Sequence, residues 1–216
     1  FWIFVLILSL EFKIFFINVG ILILLFLYAF EIVKFYNISF KSLFSEKKIE
    51  TPLKSEKMIL VEQLDKKNKN TFPSIIPNIF LNKGDINLFP LGGVSNATTV
   101  FCKEGPKFSV YKSDRFGFNN PDNNWDSEIE NLFIGDSFAQ GACVKEGEDI
   151  ASQIRFSTKS KTLTLGMAGN GPLIELASLK EYSKNIKVKN IFWVYFERND
   201  LNDLKKEKKN KILIKY

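Results

Sequence analysis

Residues 130–138 read ENLFIGDSF, residues 161–172 read KTLTLGMAGNGP, and residues 190–200 read NIFWVYFERND. In each, a short run rich in Leu, Ile, Val and aromatic residues breaks into a polar or glycine-rich loop. Runs of that length and composition predict strands, at 130–134, 161–165 and 190–196. Between the first two, residues 148–157 carry Ile150, Ile154 and Phe156 and predict a helix. Between the second and third, residues 172–184 place Ile174, Leu176, Ala177, Leu179 and Tyr182 on a face of helical period. Pro172 stands near its start, where the missing N–H costs nothing. Strand–helix–strand–helix–strand with short loops predicts an α/β fold with a parallel sheet.

In such sheets the chemistry collects just past the carboxyl ends of the strands. Neighbouring strands lie about 5 Å apart, so the three loops can meet in one cleft. They would bring Ser137, the glycines 166, 169 and 171, and the Asn199 carboxamide together. That set suits acyl transfer. A serine hydroxyl attacks an ester carbonyl, and pre-placed donors stabilise the developing oxyanion by roughly 3 kcal/mol each. The backbone N–H groups of Ser137 and Gly169 and the side-chain amide of Asn199 are the candidate donors. Asp136 and Asp200 stand beside them as supporting residues. The simplest competing role for Ser137 is to cap the helix that follows the first strand.

The quoted stretches resemble the SGNH/GDSL hydrolases. GDSF at 135–138, the glycine within LTLGMAGNGP and the Asn-Asp of FERNDL are similar, in order and strand context, to the first three sequence blocks of that family. The resemblance covers about residues 126–216. It is more specific to bacterial membrane-tethered SGNH proteins linked to cell-surface polysaccharide handling, in which a GFNNP-like loop precedes the serine block, as at 117–121 here. It implies a flavodoxin-like three-layer fold, Ser137 as nucleophile, and Gly169 and Asn199 as oxyanion donors. It also implies an ester substrate such as an acylated carbohydrate, without cofactor or metal.

Two departures qualify that likeness. Glu197 stands where the family's third block has glycine, and the chain contains no histidine. The family takes its base and orienting acid from a final Asp-x-x-His block, so Asp200 is not a substitute for that acid. Residues 138–216 are too few to reach the block, and the chain reads as C-terminally truncated. Serine without a base is a poor nucleophile at neutral pH, so little esterase activity is expected of these 216 residues. Other readings on the same residues are a non-catalytic glycan-binding or assembly protein, and a nucleotide-binding α/β module. The 166–171 loop has GxxGxG spacing, which does not fit the dinucleotide fingerprint GxGxxG, and no Gly-Lys-Ser/Thr follows.

Upstream, residues 1–10 (FWIFVLILSL) and 14–30 (IFFINVGILILLFLYAF) are apolar, separated by Glu11, Phe12 and Lys13. The second run is long enough to span a bilayer core with its flanks, and the first reads as the end of an earlier membrane helix. Residues 45–70 are rich in lysine and acids and read as a solvated linker or frayed helix. The chain thus divides into a transmembrane region at 1–36, a linker and irregular lead-in at 37–100, and a partial SGNH hydrolase-like domain at 101–216. Lys34, Lys41, Lys47 and Lys48 after the membrane run favour a cytoplasmic domain by the positive-inside rule, whereas the resemblance favours export. The extracytoplasmic (periplasmic) side is the expectation. Cys102 and Cys143 would then suit a disulfide, against two unrelated buried thiols as the alternative. The net charge of +6 is carried mostly by lysine with no interleaved aromatics, which does not point to nucleic acid. The tail with Lys205, Lys206, Lys208, Lys209, Lys211 and Lys215 reads as a solvated helical face.

Overall fold

The computed structural model describes residues 9–35, 55–83 and 87–216. The chain divides into two compact units, Phe1–Leu53 and Lys54–Tyr216. In the first, helix α1 spans Leu10–Phe35. Its stretch Leu10–Glu31 is long and apolar enough to cross a membrane. At 1.5 Å per residue its 26 residues reach about 39 Å, more than a bilayer's hydrocarbon core. The helix runs through Glu11 and Lys13 without the break expected there. The apolar run at 1–8 and residues 36–54 lie outside the described residues.

The second unit begins well before residue 101, the expected domain boundary. Helix α2 (Glu56–Asn68) starts at Ser55, whose side chain accepts from the Met58 N–H. Three three-residue strands follow, β1 (Thr71–Pro73), β2 (Thr98–Val100) and β3 (Val110–Lys112). β1 and β2 are parallel, and β2 and β3 antiparallel. Residues 55–83 and 87–100 thus fall in the same compact unit as residues 101–216.

The second sheet is the predicted parallel one. Its strands are β4 (Ile129–Gly135), β5 (Thr162–Thr164) and β6 (Val188–Val194), in the order β5-β4-β6. The connecting helices are α3 (Ser137–Gln140), α4 (Ile150–Thr158) and α5 (Pro172–Tyr182), with α6 (Asp200–Glu207) after β6. The structure is thus mixed α/β with a parallel sheet. On one face of β4, Leu132 and Ile134 join Phe118, Trp125, Leu163, Leu165 and Met167 in a core cluster that also packs on Leu179 and Tyr182 of α5. Ile174 and Ala177, on another side of α5, enter a second cluster with Phe89, Leu91 and Leu213. Fully burying a leucine such as Leu132 or Leu163 stabilises the fold by about 2 kcal/mol, so α5 is held from two sides. On the other face of β4, Phe133 stacks on Phe192 of β6 at 5.0 Å.

Two expectations change. β6 is nearly continuously apolar, yet Ile191, Phe192 and Trp193, on both of its faces, stay 52%, 45% and 54% exposed, and β6 is an edge strand of the described sheet. The lysine-rich tail is not one solvated helix. α6 ends at Glu207, the tail's one acid, which is fully buried, and Leu213 is buried in a later 3-10 turn.

Candidate functional site

β4 ends on Gly135, and its φ of +152° leaves no room for a side chain beside Val194 and Ala139. The chain then turns into α3 at Asp136. Asp136 is the N-cap, its carboxylate accepting from the Phe138 N–H at 2.9 Å. The cap is therefore supplied by Asp136, and Ser137 is the first helical residue. The Ser137 hydroxyl makes no hydrogen bond among the described residues, and the side chain is partly exposed. Ser137 is thus not the cap of α3.

Three sets of contacts draw the neighbouring loops to α3. A Cβ on Gly166 would fall 2.6 Å from the Ala139 Cβ, so the loop after β5 lies directly on α3. Gln140 of α3 reaches into that loop, accepting from the Ala168 N–H at 2.7 Å. The ring of Phe138 packs against Phe196, at the start of the loop after β6, with centroids 4.9 Å apart. The loops holding Ser137, Gly169 and Asn199 thus converge at one end of the sheet.

Gly169 has a φ of +72°, in the left-handed region that favours glycine. The space a side chain would take there is filled by the carboxamide of Asn78. Asn78 lies in a 3-10 turn at Pro77–Phe80, far upstream of the motif-bearing residues. Its carboxamide makes no hydrogen bond among the described residues. Sequence reasoning missed it, since one asparagine in a Pro- and Asn-rich segment carries no periodic signal.

Asn199 is the N-cap residue of α6, and its Nδ2 donates to Asp203 at 3.0 Å, while its Oδ1 is buried without a partner. One amide hydrogen is therefore committed inside α6, and one remains. Asp200 accepts from the Phe196 N–H at 2.6 Å and so shapes the loop. Burial, with Asp136 and Asp203 nearby, pushes its carboxyl above the ordinary range. Glu197 and Arg198 are exposed. Lys145, in the turn beyond α3, projects into solvent, 3.5 Å from Glu148.

A belt of buried acids supports the loop after β5. Glu207 accepts from the N–H groups of Gly171 (2.6 Å) and Leu173 (2.9 Å), capping α5 from α6. Glu175 accepts from the Trp193 indole at 2.7 Å, and its other oxygen has no partner. Burial pushes Glu175 up to about 8, and Asp200, Asp136 and Glu207 reinforce this by repulsion. Among the described residues, no three carboxylates or cysteines are placed to hold a metal ion.

The GFNNP loop fixes the site from below. Asn120 donates to the Thr164 carbonyl (2.9 Å) and accepts from the Thr164 N–H (2.8 Å), pairing with the free edge of β5 as a strand would. Its amide also donates to Asp114, which accepts from the Trp125 indole and from the N–H groups of Phe116 and Phe118. Asn119 donates to the Gln140 carbonyl at the end of α3, at 3.0 Å. The loop therefore holds β5 and the serine-bearing helix in register. Cys102 and Cys143 are joined as a disulfide, Cα atoms 4.9 Å apart, which ties the segment after β2 to the turn after α3.

No family model, curated protein or solved structure matches this chain.

Proposed function

We propose that the chain is a membrane-anchored SGNH/GDSL-type serine hydrolase domain that acts on ester bonds, as an esterase or an O-acyltransferase on acylated carbohydrate. The observation that carries this reading is the unspent Ser137 hydroxyl. It sits on the first turn after the central strand, with the loops of Gly169 and Asn199 packed on either side of it. Ser137 attacks the acyl carbonyl. The N–H groups of Ser137 and Gly169 and the free amide hydrogen of Asn199 are the donors to the oxyanion, and Asn78 adds a fourth candidate that no family motif supplies. The arrangement of α5 and the GFNNP loop about the parallel sheet supports a flavodoxin-like assignment.

What these residues lack is a histidine, so proton transfer from Ser137 has no histidine base here. The chain alone should turn over an activated ester slowly or not at all. Imidazole added to the solution supplies the base from outside. Incubation with p-nitrophenyl acetate and imidazole should then acetylate Ser137, detectable on its tryptic peptide, and Ser137→Ala should abolish the mark. Acetylation spread over surface lysines with Ser137 unmodified would refute the reading.

A second reading is a non-catalytic glycan-binding protein on the same fold, and the hydrogen bond from Asn199 to Asp203 favours it. α1 serves as the anchor in both. The Cys102–Cys143 disulfide supports an extracytoplasmic position for the domain.

A further inference from the structure

A cavity of about 640 Å³ opens between the end of α5, the side chains of Arg115, Phe116 and Trp125, and the segment at 88–91. It reaches Ile186. The neighbouring residue, Lys187, accepts from the N–H of Ile129 at the start of β4. The cavity therefore lies at the amino end of the sheet, while Ser137 lies past the carboxyl end. Nothing in the acyl-transfer reading uses it.

Its wall is aromatic and ordered. Phe116 stands edge-on to Trp125 with centroids 4.7 Å apart and against Tyr182 at 5.2 Å. Even so packed, Phe116 stays 40% exposed, with its free surface on the cavity. Polar groups ring this floor. Asn185 and Tyr182 both line the cavity, and neither the Asn185 carboxamide nor the Tyr182 hydroxyl makes a hydrogen bond among the described residues. Glu181 accepts from Lys184 (2.7 Å) and from the Tyr216 hydroxyl (2.9 Å), which leaves acceptor capacity on both oxygens.

The charge pattern narrows the ligand. Arg115 also lines the cavity, but its guanidinium is engaged by Asp122 (2.8 Å) and Asp126 (2.7 Å). It has little left to offer an anion. What remains is an apolar ring floor with an amide, a phenol hydroxyl and an ion-paired carboxylate at its edge, in a volume that suits a small ring compound. A pyranose has that chemistry: an apolar C–H face and a rim of hydroxyls.

We propose that this cavity is a binding site for a neutral pyranose unit of a glycan, with Phe116 as the stacking floor and Asn185, Tyr182 and Glu181 as hydroxyl partners. The site is separate from Ser137 and does not depend on the ester-hydrolysis reading.

The test uses the whole chain in an amine-oxide detergent, which has no sugar headgroup, titrated with chitotetraose and with maltotetraose. Trp125 in the cavity wall reports through tryptophan fluorescence. At least one sugar should produce a saturable change, with half-saturation at about millimolar concentration. Asn185→Ala should weaken binding about fivefold, the size of one hydrogen bond. Asn185 is exposed and makes no intramolecular hydrogen bond, so this variant keeps the fold. Phe116→Ala should weaken binding further, and Ser137→Ala should leave it unchanged. Absence of saturable binding to both sugars overturns the proposal, as does binding that neither cavity variant alters. Loss of binding in Ser137→Ala would place the sugar at the other end of the sheet and would equally overturn it.

Discussion

Replacing Glu175 by glutamine should flatten much of the domain's dependence of stability on pH. Glu175 is 1% exposed and shares its site with the Trp193 indole. Burial lifts its carboxyl from an ordinary 4.5 to about 8 in the folded chain. Between those values the folded chain holds a proton that the unfolded chain has released. Bound protons in excess on the folded side make stability fall as pH rises. The loss starts near pH 4.5, continues to about pH 8 and levels off above it. Each unit of displacement corresponds to 1.36 kcal/mol, so the full effect is on the order of 5 kcal/mol. Glutamine mimics the protonated acid and cannot ionise. Urea denaturation in detergent at pH 5, 6, 7 and 8, followed by the fluorescence of Trp125 and Trp193, gives the comparison. The two proteins should have similar midpoints at pH 5. At pH 8 Glu175→Gln should be more stable than the parent, with an unchanged slope against urea. Some slope with pH should remain in the variant, because burial also raises Asp200 and Glu207. Parallel pH profiles, or a variant less stable than the parent at pH 8, would refute the reasoning.

Thiol titration of the denatured, unreduced chain should find no free thiol, and Cys102→Ser should cost about 2–4 kcal/mol in the same urea assay, since the bridge closes a loop of 41 residues. Asn120→Ala should destabilise by about 2–4 kcal/mol, because it strips both backbone partners from Thr164 and one from buried Asp114; circular dichroism melts would show the shift. Asn78→Ala should leave stability within about 1 kcal/mol, because the Asn78 carboxamide makes no intramolecular hydrogen bond to lose. The same change should lower imidazole-assisted acetylation of Ser137 by about tenfold or more if the amide contributes to the oxyanion site.

The parallel sheet was legible because its signals are local. Apolar runs at 130–134, 161–165 and 190–196 stop at glycine or polar loops, and the helices between them keep a 3.6-residue period. The strands fall at Ile129–Gly135, Thr162–Thr164 and Val188–Val194, within a few residues of that reading. What was not legible depends on distant partners. β1 and β2 are three residues each, too short for periodicity, and exist only through pairing with each other and β3. Asn120 finds Thr164 across 44 residues, and Glu207 finds Gly171 across 36. Neither looks special in its own neighbourhood, and Glu207 hides in a lysine run that reads as solvated. Asn78 reaches Gly169 from a segment with no pattern at all. β6 shows the reverse error: composition reports that a strand is apolar on both faces, but not whether anything covers it.

The central claim is that Ser137 is an activatable nucleophile served by donors from the loops of Gly169 and Asn199. A fluorophosphonate probe tests it most directly, because it traps a serine nucleophile covalently and places a phosphoryl oxygen where the oxyanion would form. With imidazole present, the chain should be labelled at Ser137, and labelling should fall sharply in Asn199→Ala and vanish in Ser137→Ala. Labelling that survives Ser137→Ala, or a chain that imidazole leaves entirely unlabelled while correctly folded, would contradict it.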